Sequence, residues 1–121
     1  MNYGIEDILR QAAPVIPVLT VNRVEDAVPL AMALKEGGIK VLEVTLRTDA
    51  AMCAIAEMKK IPGLTVGAGT VTRESQLNEL QEIGADFAVS PGATPKLLEA
   101  GNMVKLPFLP AISSVSDMMQ G

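Results

Sequence analysis

The chain has 121 residues, of which 49% are hydrophobic and only 2% aromatic, and it carries a net charge of −4. This length allows one domain, and an aliphatic core with seven methionines and no tryptophan suits a parallel sheet covered by helices. The negative charge and the lack of a basic run argue against nucleic acid or an anionic membrane surface as partner, and the absence of histidine argues against the usual kind of zinc site.

The N-terminal region predicts a helix followed by a strand. Apolar residues at helical spacing indicate a short amphipathic helix over residues 3–13, which Pro14 ends. Residues 15–20 form the first predicted strand, although Pro17 lacks the N–H group that a sheet ladder uses.

The second helix is predicted over residues 22–36. Asn22 and Glu25 resemble a capping box at its start, and Pro29 either marks its first turn or interrupts it. A pair of glycines then closes the helix and leads into the strand around which the chain is organised.

This central strand is predicted over residues 39–48, a run rich in Val, Leu and Thr. Because side chains alternate along a strand, its two faces differ. One face carries Val41, Glu43, Thr45 and Arg47, and the other, apolar face carries Leu42, Val44 and Leu46.

A carboxylate in the middle of a strand is costly to bury, so Glu43 is either paired with a cation such as Arg47 or Lys40, or kept for chemistry. The spacing alone leaves both readings open. Arg47 lies about 13 Å farther along, which is too far for direct pairing but close enough to hold the far end of a small acid.

The remaining chain continues as alternating helices and strands. The predicted elements are a helix over 49–60 capped by Thr48, a strand over 64–68, a helix capped by Thr72 and ended by Gly84, a strand over 86–90, a helix from Thr94 and Pro95 to about Ala100, a strand over 107–112, and a helix begun by Ser114 with Asp117.

The predicted strands begin near residues 15, 39, 64, 86 and 107, and this repeat of about 21 to 25 residues indicates βα units and a parallel sheet. Two architectures fit: an open five-stranded flavodoxin-like sheet, or about half of a (β/α)8 barrel. The strand ends lack the acidic cluster and lysine of a phosphoacceptor receiver and the phosphate loop of a flavodoxin, so they favour the barrel.

Five motifs in register resemble the 2-keto-3-deoxy-6-phosphogluconate (KDPG) and 4-hydroxy-2-oxoglutarate (KHG) aldolase family, and the resemblance covers the N-terminal half of that family only. The motifs are Pro14-Val15-Ile16-Pro17-Val18, Gly37-Gly38 leading to Glu43-Val44-Thr45-Leu46-Arg47-Thr48, Gly67-Ala68-Gly69-Thr70-Val71, Ser90-Pro91-Gly92, and Pro110-Ala111-Ile112-Ser113-Ser114. The last motif has Ala and Ser where the family has Gly and Thr.

The resemblance implies a class I aldolase built as a (β/α)8 barrel, assembled as a homotrimer, needing no cofactor and acting on a small keto acid in the Entner–Doudoroff pathway. In such an enzyme a lysine on the sixth strand forms a Schiff base with pyruvate. By resemblance, Glu43 is the acid/base, Arg47 and Thr70 hold the substrate carboxylate, and Thr45 and Pro91 line the pocket. A carboxylate on an apolar strand face is expected to have a raised pKa, which suits proton transfer.

The sequence departs from the family in one respect that bears on activity: residues 1–121 are expected to stop before the sixth strand and so to lack the Schiff-base lysine. All lysines are predicted at the end of the sheet opposite the site: Lys35, Lys40, Lys59, Lys60, Lys96 and Lys105. The chain alone is therefore predicted to be inactive. The alternative is a non-catalytic half-barrel that needs a partner or a second copy to complete its fold.

Simpler structural roles remain open for several of these residues. Thr70 would then only begin a helix, Ser90-Pro91-Gly92 would only form a turn, and Cys53 would be a packing residue. A single cysteine and an N-terminus without the apolar region of a signal peptide predict a cytoplasmic protein, and residues 12–21 are too short an apolar run to span a bilayer.

Two structural expectations follow from the half-barrel reading. Glu43, Arg47 and Thr70 are predicted to converge on one pocket mouth at the C-terminal ends of the strands. The inner sheet face is predicted to be exposed, so that the isolated chain would self-associate. The residues expected to meet water are Val18, Val41, Val66, Val89 and Leu109.

Overall fold

A computed structural model describes residues 4–121 as alternating helices and parallel strands. The helices are α1 (Ile5–Ala12), α2 (Ala27–Glu36), α3 (Ala51–Met58), α4 (Glu74–Glu82), α5 (Pro95–Met103) and α6 (Val115–Gln120). The strands are β1 (Val18–Leu19), β2 (Val41–Thr45), β3 (Thr65–Gly69), β4 (Phe87–Ser90) and β5 (Phe108–Pro110), and a 3-10 turn at Val24–Asp26 precedes α2. Every predicted element is present; residue 3, where the first helix was predicted to begin, lies outside the described residues.

The five strands lie side by side in the order in which they occur in the chain, and all neighbours are parallel. A flavodoxin-like sheet would place its second strand at the edge, outside the first. Sequential order is instead the arrangement of barrel strands, because each right-handed βα crossover then moves the chain by one strand in the same direction. The fold is therefore an arc of a (β/α)8 barrel.

The outer face of this arc is a complete hydrophobic core. Leu42, Val44, Val66, Ala68 and Ala88 of the three central strands are fully buried in one cluster. The cluster also takes the inner faces of the surrounding helices: Ala27, Ala31, Ala51, Ala54, Ile55, Met58, Leu77, Leu80 and Leu97.

The inner face of the arc is covered at one end only. Helix α1 packs against the N-terminal end of the central strands, where Ile8 and Ala12 bury Val41 and Phe87 in a second cluster. The prediction that Val41 meets water is wrong because α1 covers it, and the prediction for Val66 is wrong because the register places this residue on the outer face beside Leu42.

The inner face is open at its two edge strands. Val18 on the edge strand β1 is 61% exposed and Leu109 on the opposite edge strand β5 is 41% exposed, as predicted, while Val89 is half-buried. The inner face thus changes from covered at the central strands to open at the two edges of the arc.

Three predicted helix caps are wrong. Asn22 and Thr72 lie ahead of the residues that begin the helical turns, and α3 begins after Ala50 with no side-chain cap. Thr48 instead donates its hydroxyl hydrogen to the carbonyl of Val21, which ties the loop after β2 to the loop after β1. The hydroxyl of Thr48 thus bonds to a neighbouring loop, and the sequence alone does not show that this loop is close.

Two other caps are confirmed. Thr94 accepts a hydrogen bond from the Leu97 backbone N–H at the start of α5, with Pro95 in the first turn, and Ser114 accepts one from the Asp117 N–H at the start of α6. Gly84 follows α4 with a positive φ of 80°, as a helix-ending glycine does.

Most lysines lie where they were predicted, but one does not. Lys96 is in the first turn of α5, and because this helix follows β4 directly, it begins at the C-terminal end of the sheet. The placement of Lys96 at the opposite end is therefore wrong, although it lies on a surrounding helix and not on a strand. Within residues 4–121, none of the helices combines the length and apolarity that a bilayer crossing requires.

Candidate functional site

Glu43 lies in the middle of β2 on the inner face of the arc. Its register partners across the sheet are Val18 on β1 and Gly67 on β3, and Gly67 is in turn opposite Phe87 on β4. The residue is half-buried, and this burial raises the pKa of its carboxyl above the ordinary value of 4.5. No lysine or arginine of residues 4–121 lies within ion-pairing distance, so neither Lys40 nor Arg47 pairs with Glu43.

Thr45 follows Glu43 on the same face and is buried, with 3% of its surface exposed. Its Oγ1 donates to the Leu19 carbonyl at 3.2 Å and lies 3.3 Å from Oγ1 of Thr20. The hydroxyl hydrogen is therefore used to join β1 to β2, which leaves the Thr45 side chain as part of the wall beside Glu43.

Arg47 departs from the expected alternation of side chains because β2 ends at Thr45 and residue 47 lies in the turn that follows. It is exposed and lines a depression of about 230 Å³ between the loop after β2 and the start of α4, together with Arg73, Gln76 and Glu79. Glu43 is not among the residues that line this depression. The convergence of Glu43, Arg47 and Thr70 on one mouth stays a prediction.

Thr70 comes directly after β3 and has a positive φ of 59°. A β-branched residue pays a steric cost in this left-handed conformation, and such residues concentrate at functional sites because the surrounding structure must hold them there. The backbone N–H of the next residue, Val71, donates to the Val89 carbonyl, which fixes the turn against β4. Thr70 is thus held in a strained position at the C-terminal edge of the sheet.

Pro91 is exposed at the end of β4 in a tight turn. The turn is closed by Ser90, which is 1% exposed and donates its hydroxyl hydrogen to the Gly92 carbonyl at 2.6 Å. This geometry accounts for the Ser-Pro-Gly motif as a turn and also places Pro91 at the same edge of the sheet as Thr70.

Two glycines of β3 contribute to the site in a way that the motif alone did not reveal. Gly67 and Gly69 lie on the inner face next to Glu43, and their missing side chains leave room for larger ones from the neighbouring strands. The sequence did contain a signal for this feature: glycines two residues apart on one strand share a face, because side chains alternate along a strand. No group of three or more potential metal ligands comes together in the part of the chain that the structure describes.

Comparison with known proteins places these residues in a family context. The family model described as KDPG and KHG aldolase matches residues 5–121. A 2-dehydro-3-deoxy-phosphogluconate aldolase of Pseudoalteromonas atlantica is 51% identical over 117 residues, which are 96% of this chain and 54% of that enzyme.

Solved structures give the same match. The 2-keto-3-deoxy-6-phospho-gluconate aldolase of Zymomonas mobilis superposes with a TM-score of 0.92 at 45% identity, over 98% of this chain and 57% of that one. The KDPG aldolase of Legionella pneumophila, solved with pyruvate captured as a covalent carbinolamine, has a TM-score of 0.85 at 47% identity, over 91% of this chain and 54% of that one. The chain spans about half the length of the relatives it matches.

Proposed function

The chain belongs to the KDPG and KHG aldolase family, and on that premise we propose that it supplies the proton-transferring carboxylate and the substrate-carboxylate site of a class I aldolase. The reaction would split 2-keto-3-deoxy-6-phosphogluconate into pyruvate and glyceraldehyde 3-phosphate, or 4-hydroxy-2-oxoglutarate into pyruvate and glyoxylate, or both. The lysine that forms the Schiff base would come from outside these residues, so the 121-residue chain alone would not catalyse the cleavage.

The observation that carries this proposal is the state of Glu43. Its carboxyl is half-buried on the inner face, has a raised pKa and has no cation beside it among residues 4–121. A structural ion pair would lower the pKa, whereas a desolvated carboxyl without one can both take up and return a proton. This supports the role of general acid and base at a carbon–carbon cleavage step.

The proposed chemistry assigns the steps as follows. The amine of the lysine adds to the substrate keto group and water leaves, giving an iminium that can accept electrons. Glu43 then removes the proton of the substrate hydroxyl through water, the carbon–carbon bond breaks and the aldehyde leaves. Glu43 returns the proton to the remaining three-carbon enamine, and hydrolysis releases pyruvate. The carbinolamine captured in the Legionella relative is the adduct that precedes such an iminium.

The other predicted residues would bind the substrate. Arg47 would hold the substrate carboxylate with its planar pair of donors, and Thr70 would donate its hydroxyl hydrogen to the same group. Thr45 and Pro91 would form parts of the wall. The exposure of Arg47 supports this assignment, since the side chain is not committed to an ion pair with another residue of 4–121.

The assembly and location are proposed on the resemblance. The full-length enzyme would be a homotrimer in the cytoplasm. The lone cysteine, Cys53, is exposed, so the packing role predicted for it is wrong; its free thiol is compatible with a reducing compartment. Size measurement of the complete enzyme would test the trimer.

A chimaera tests the activity. Residues 1–121 would be joined to the C-terminal part of the Zymomonas mobilis relative, and pyruvate release would be measured for both substrates. We expect activity in the chimaera and a loss of roughly 10²- to 10⁴-fold in kcat for Glu43→Gln, while the exposed Glu82→Gln serves as matched control and keeps the parent rate.

Borohydride trapping with pyruvate sharpens the same test. The adduct should map to a lysine of the added segment in the chimaera, and the 121-residue chain should give none. An adduct on any lysine of residues 1–121, including Lys96 at the C-terminal end of the sheet, would contradict the proposal.

The open inner face favours a second candidate, a non-catalytic half-barrel that completes its fold with a partner or a second copy. Val18 and Leu109 are exposed on the two edge strands, where unpaired backbone groups invite further strands. An inactive chimaera together with a stable homodimer of the chain would favour this candidate over the aldolase.

A further inference from the structure

The inner face of β3 carries almost no side chains beyond its first residue. Its inner positions are Thr65, Gly67 and Gly69, since these are the register partners of the inner residues Val41, Glu43 and Thr45 of β2. Neither glycine has a positive φ. Their backbone conformation is therefore open to any residue, and the reason for glycine must be space.

Large side chains of the neighbouring strands fill that space. A Cβ atom added to Gly69 would lie 1.8 Å from Oε1 of Glu43, 2.8 Å from its Cδ and 3.2 Å from its Cγ. A Cβ atom added to Gly67 would lie 2.3 Å from Cζ of the Phe87 ring, which comes from β4 on the other side of β3. The carboxylate of Glu43 and the ring of Phe87 thus each lie directly over one glycine of β3.

We propose that Gly69 is a positioning residue that sets the location and the desolvation of the Glu43 carboxylate. The bare backbone at Gly69 lets the carboxylate lie flat against β3, where the sheet shields one of its sides from water. With a methyl group there, the flexible Glu43 side chain would turn toward the open part of the inner face. The proposal rests on the assigned role of Glu43, but its test reads the carboxyl itself and not turnover.

Charges do not offer another explanation for the state of Glu43. Strands β1, β3 and β4 carry no charged residue, and burial is the whole cause of the raised pKa. The charged residues of the helices packed against β2 are Glu6, Asp7 and Arg10 of α1 and Glu57 of α3. The three on α1 are exposed, and Glu57 is held by Lys60. A change in the pKa of Glu43 would therefore reflect a change in the exposure of its carboxylate to water and not the gain or loss of a charged neighbour.

The test compares two alanine substitutions in the same strand and on the same face. Gly69→Ala and its matched control Gly67→Ala would be made in the 121-residue chain with ¹³C-labelled glutamate, and the titration of Glu43 would be followed by NMR, assigned with Glu43→Gln. We expect Gly69→Ala to bring the pKa of Glu43 down toward its ordinary value, because the displaced carboxyl would be less desolvated. Gly67→Ala should change it less, because the group it displaces is Phe87.

Unfolding by denaturant should give the opposite ranking. Gly67→Ala pushes against a buried ring and should lower the unfolding midpoint more than Gly69→Ala, which pushes against a side chain that can rotate away. An unchanged pKa in Gly69→Ala, or equal pKa changes in the two variants, would overturn the proposal.

A double variant covers the case in which Gly69→Ala does not fold. Adding Gly69→Ala to Glu43→Ala should then cost no stability, because the clashing carboxylate is gone. If the glycine substitution lowers the unfolding midpoint equally with and without the Glu43 side chain, the clash is with another group and the proposal fails. These measurements are independent of the chimaera assay. An inactive chimaera would refute the proposed function but would not change the pKa of Glu43 or the unfolding midpoints of the glycine variants.

Discussion

The two faces of the same sheet are in opposite states. On the outer face, the residues of β2 to β4 that belong to the main cluster are fully buried against helices. On the inner face, α1 covers the N-terminal end of the central strands, Glu43 is half-buried, and Val18 and Leu109 on the two edge strands are exposed. The helices of neighbouring βα units cover the outer face. The inner face of a complete barrel is instead filled by side chains from all of its strands.

This difference supports the inner face as the location of the proposed chemistry. A fully packed face has no room for a substrate and would force Glu43 into an ion pair or a neutral state. On the half-covered inner face the carboxyl is desolvated enough to raise its pKa yet close enough to water to exchange a proton.

The largest expected effect is on the outer face. Leu42 is fully buried in the main cluster, so Leu42→Ala should lower the free energy of unfolding by about 2–5 kcal/mol, as other buried leucines do. Val18→Ala on the exposed inner edge should change it by less than about 0.5 kcal/mol. Denaturant titration of both variants measures the contrast, and equal losses would contradict the division into a packed and an open face.

The open face should also control self-association. Exposed apolar residues on two edge strands invite pairing, and each few tens of Å² of apolar surface that a second copy covers adds about 1 kcal/mol. We expect the 121-residue chain to self-associate in dilute neutral buffer and Val18→Lys with Leu109→Lys to reduce this. Sedimentation velocity tests it, with Val28→Lys on the exposed surface of α2 as control. A sharp monomer peak for the unmodified chain would show that the inner face is closed in another way.

The smallest expected effect is the pH dependence of stability. The pKa of Glu43 is raised in the folded chain, so between the unfolded and folded values the folded state binds more protons. The contribution of Glu43 is therefore fully present below its unfolded value near 4.5 and is lost as the pH rises through the folded pKa. Glu43→Gln should gain stability relative to the unmodified chain over that window.

Asp117 of α6 gives a control in which the pKa shift has the opposite sign. Hydrogen bonds, first of all from the backbone N–H of Ser113, lower the pKa of this carboxyl. Its stabilising contribution is present above the unfolded value of 3.8 and is lost as the pH falls, so Asp117→Asn should lose stability at the higher pH. The same direction of change in both variants would contradict the assigned causes.

The sequence predicted the strands and helices well because each βα unit is a local pattern. Alternating apolar residues placed Leu42 and Val44 in the core, and the residues Thr94, Pro95 and Ser114 marked helix starts that the structure confirms. The misplaced caps at Thr48 and Thr72 show the limit of this reasoning. An N-cap hydroxyl accepts a hydrogen bond from a helix N–H, but α3 begins after Ala50, and the Thr48 hydroxyl donates to the carbonyl of Val21, 27 residues earlier in the chain.

What the sequence determined by itself is the order of the elements, the aliphatic core of the outer face and the family, because these depend on spacing and on motifs that are contiguous in the chain. The tertiary structure decided which residues of the inner face meet water, because α1 folds back over Val41 and Phe87 but does not reach Val18 or Leu109. It also decided why Gly69 is a glycine, since the Glu43 carboxylate that occupies its side-chain space comes from the neighbouring strand, 26 residues earlier. Such contacts depend on the register between strands, and register is a property of the folded sheet.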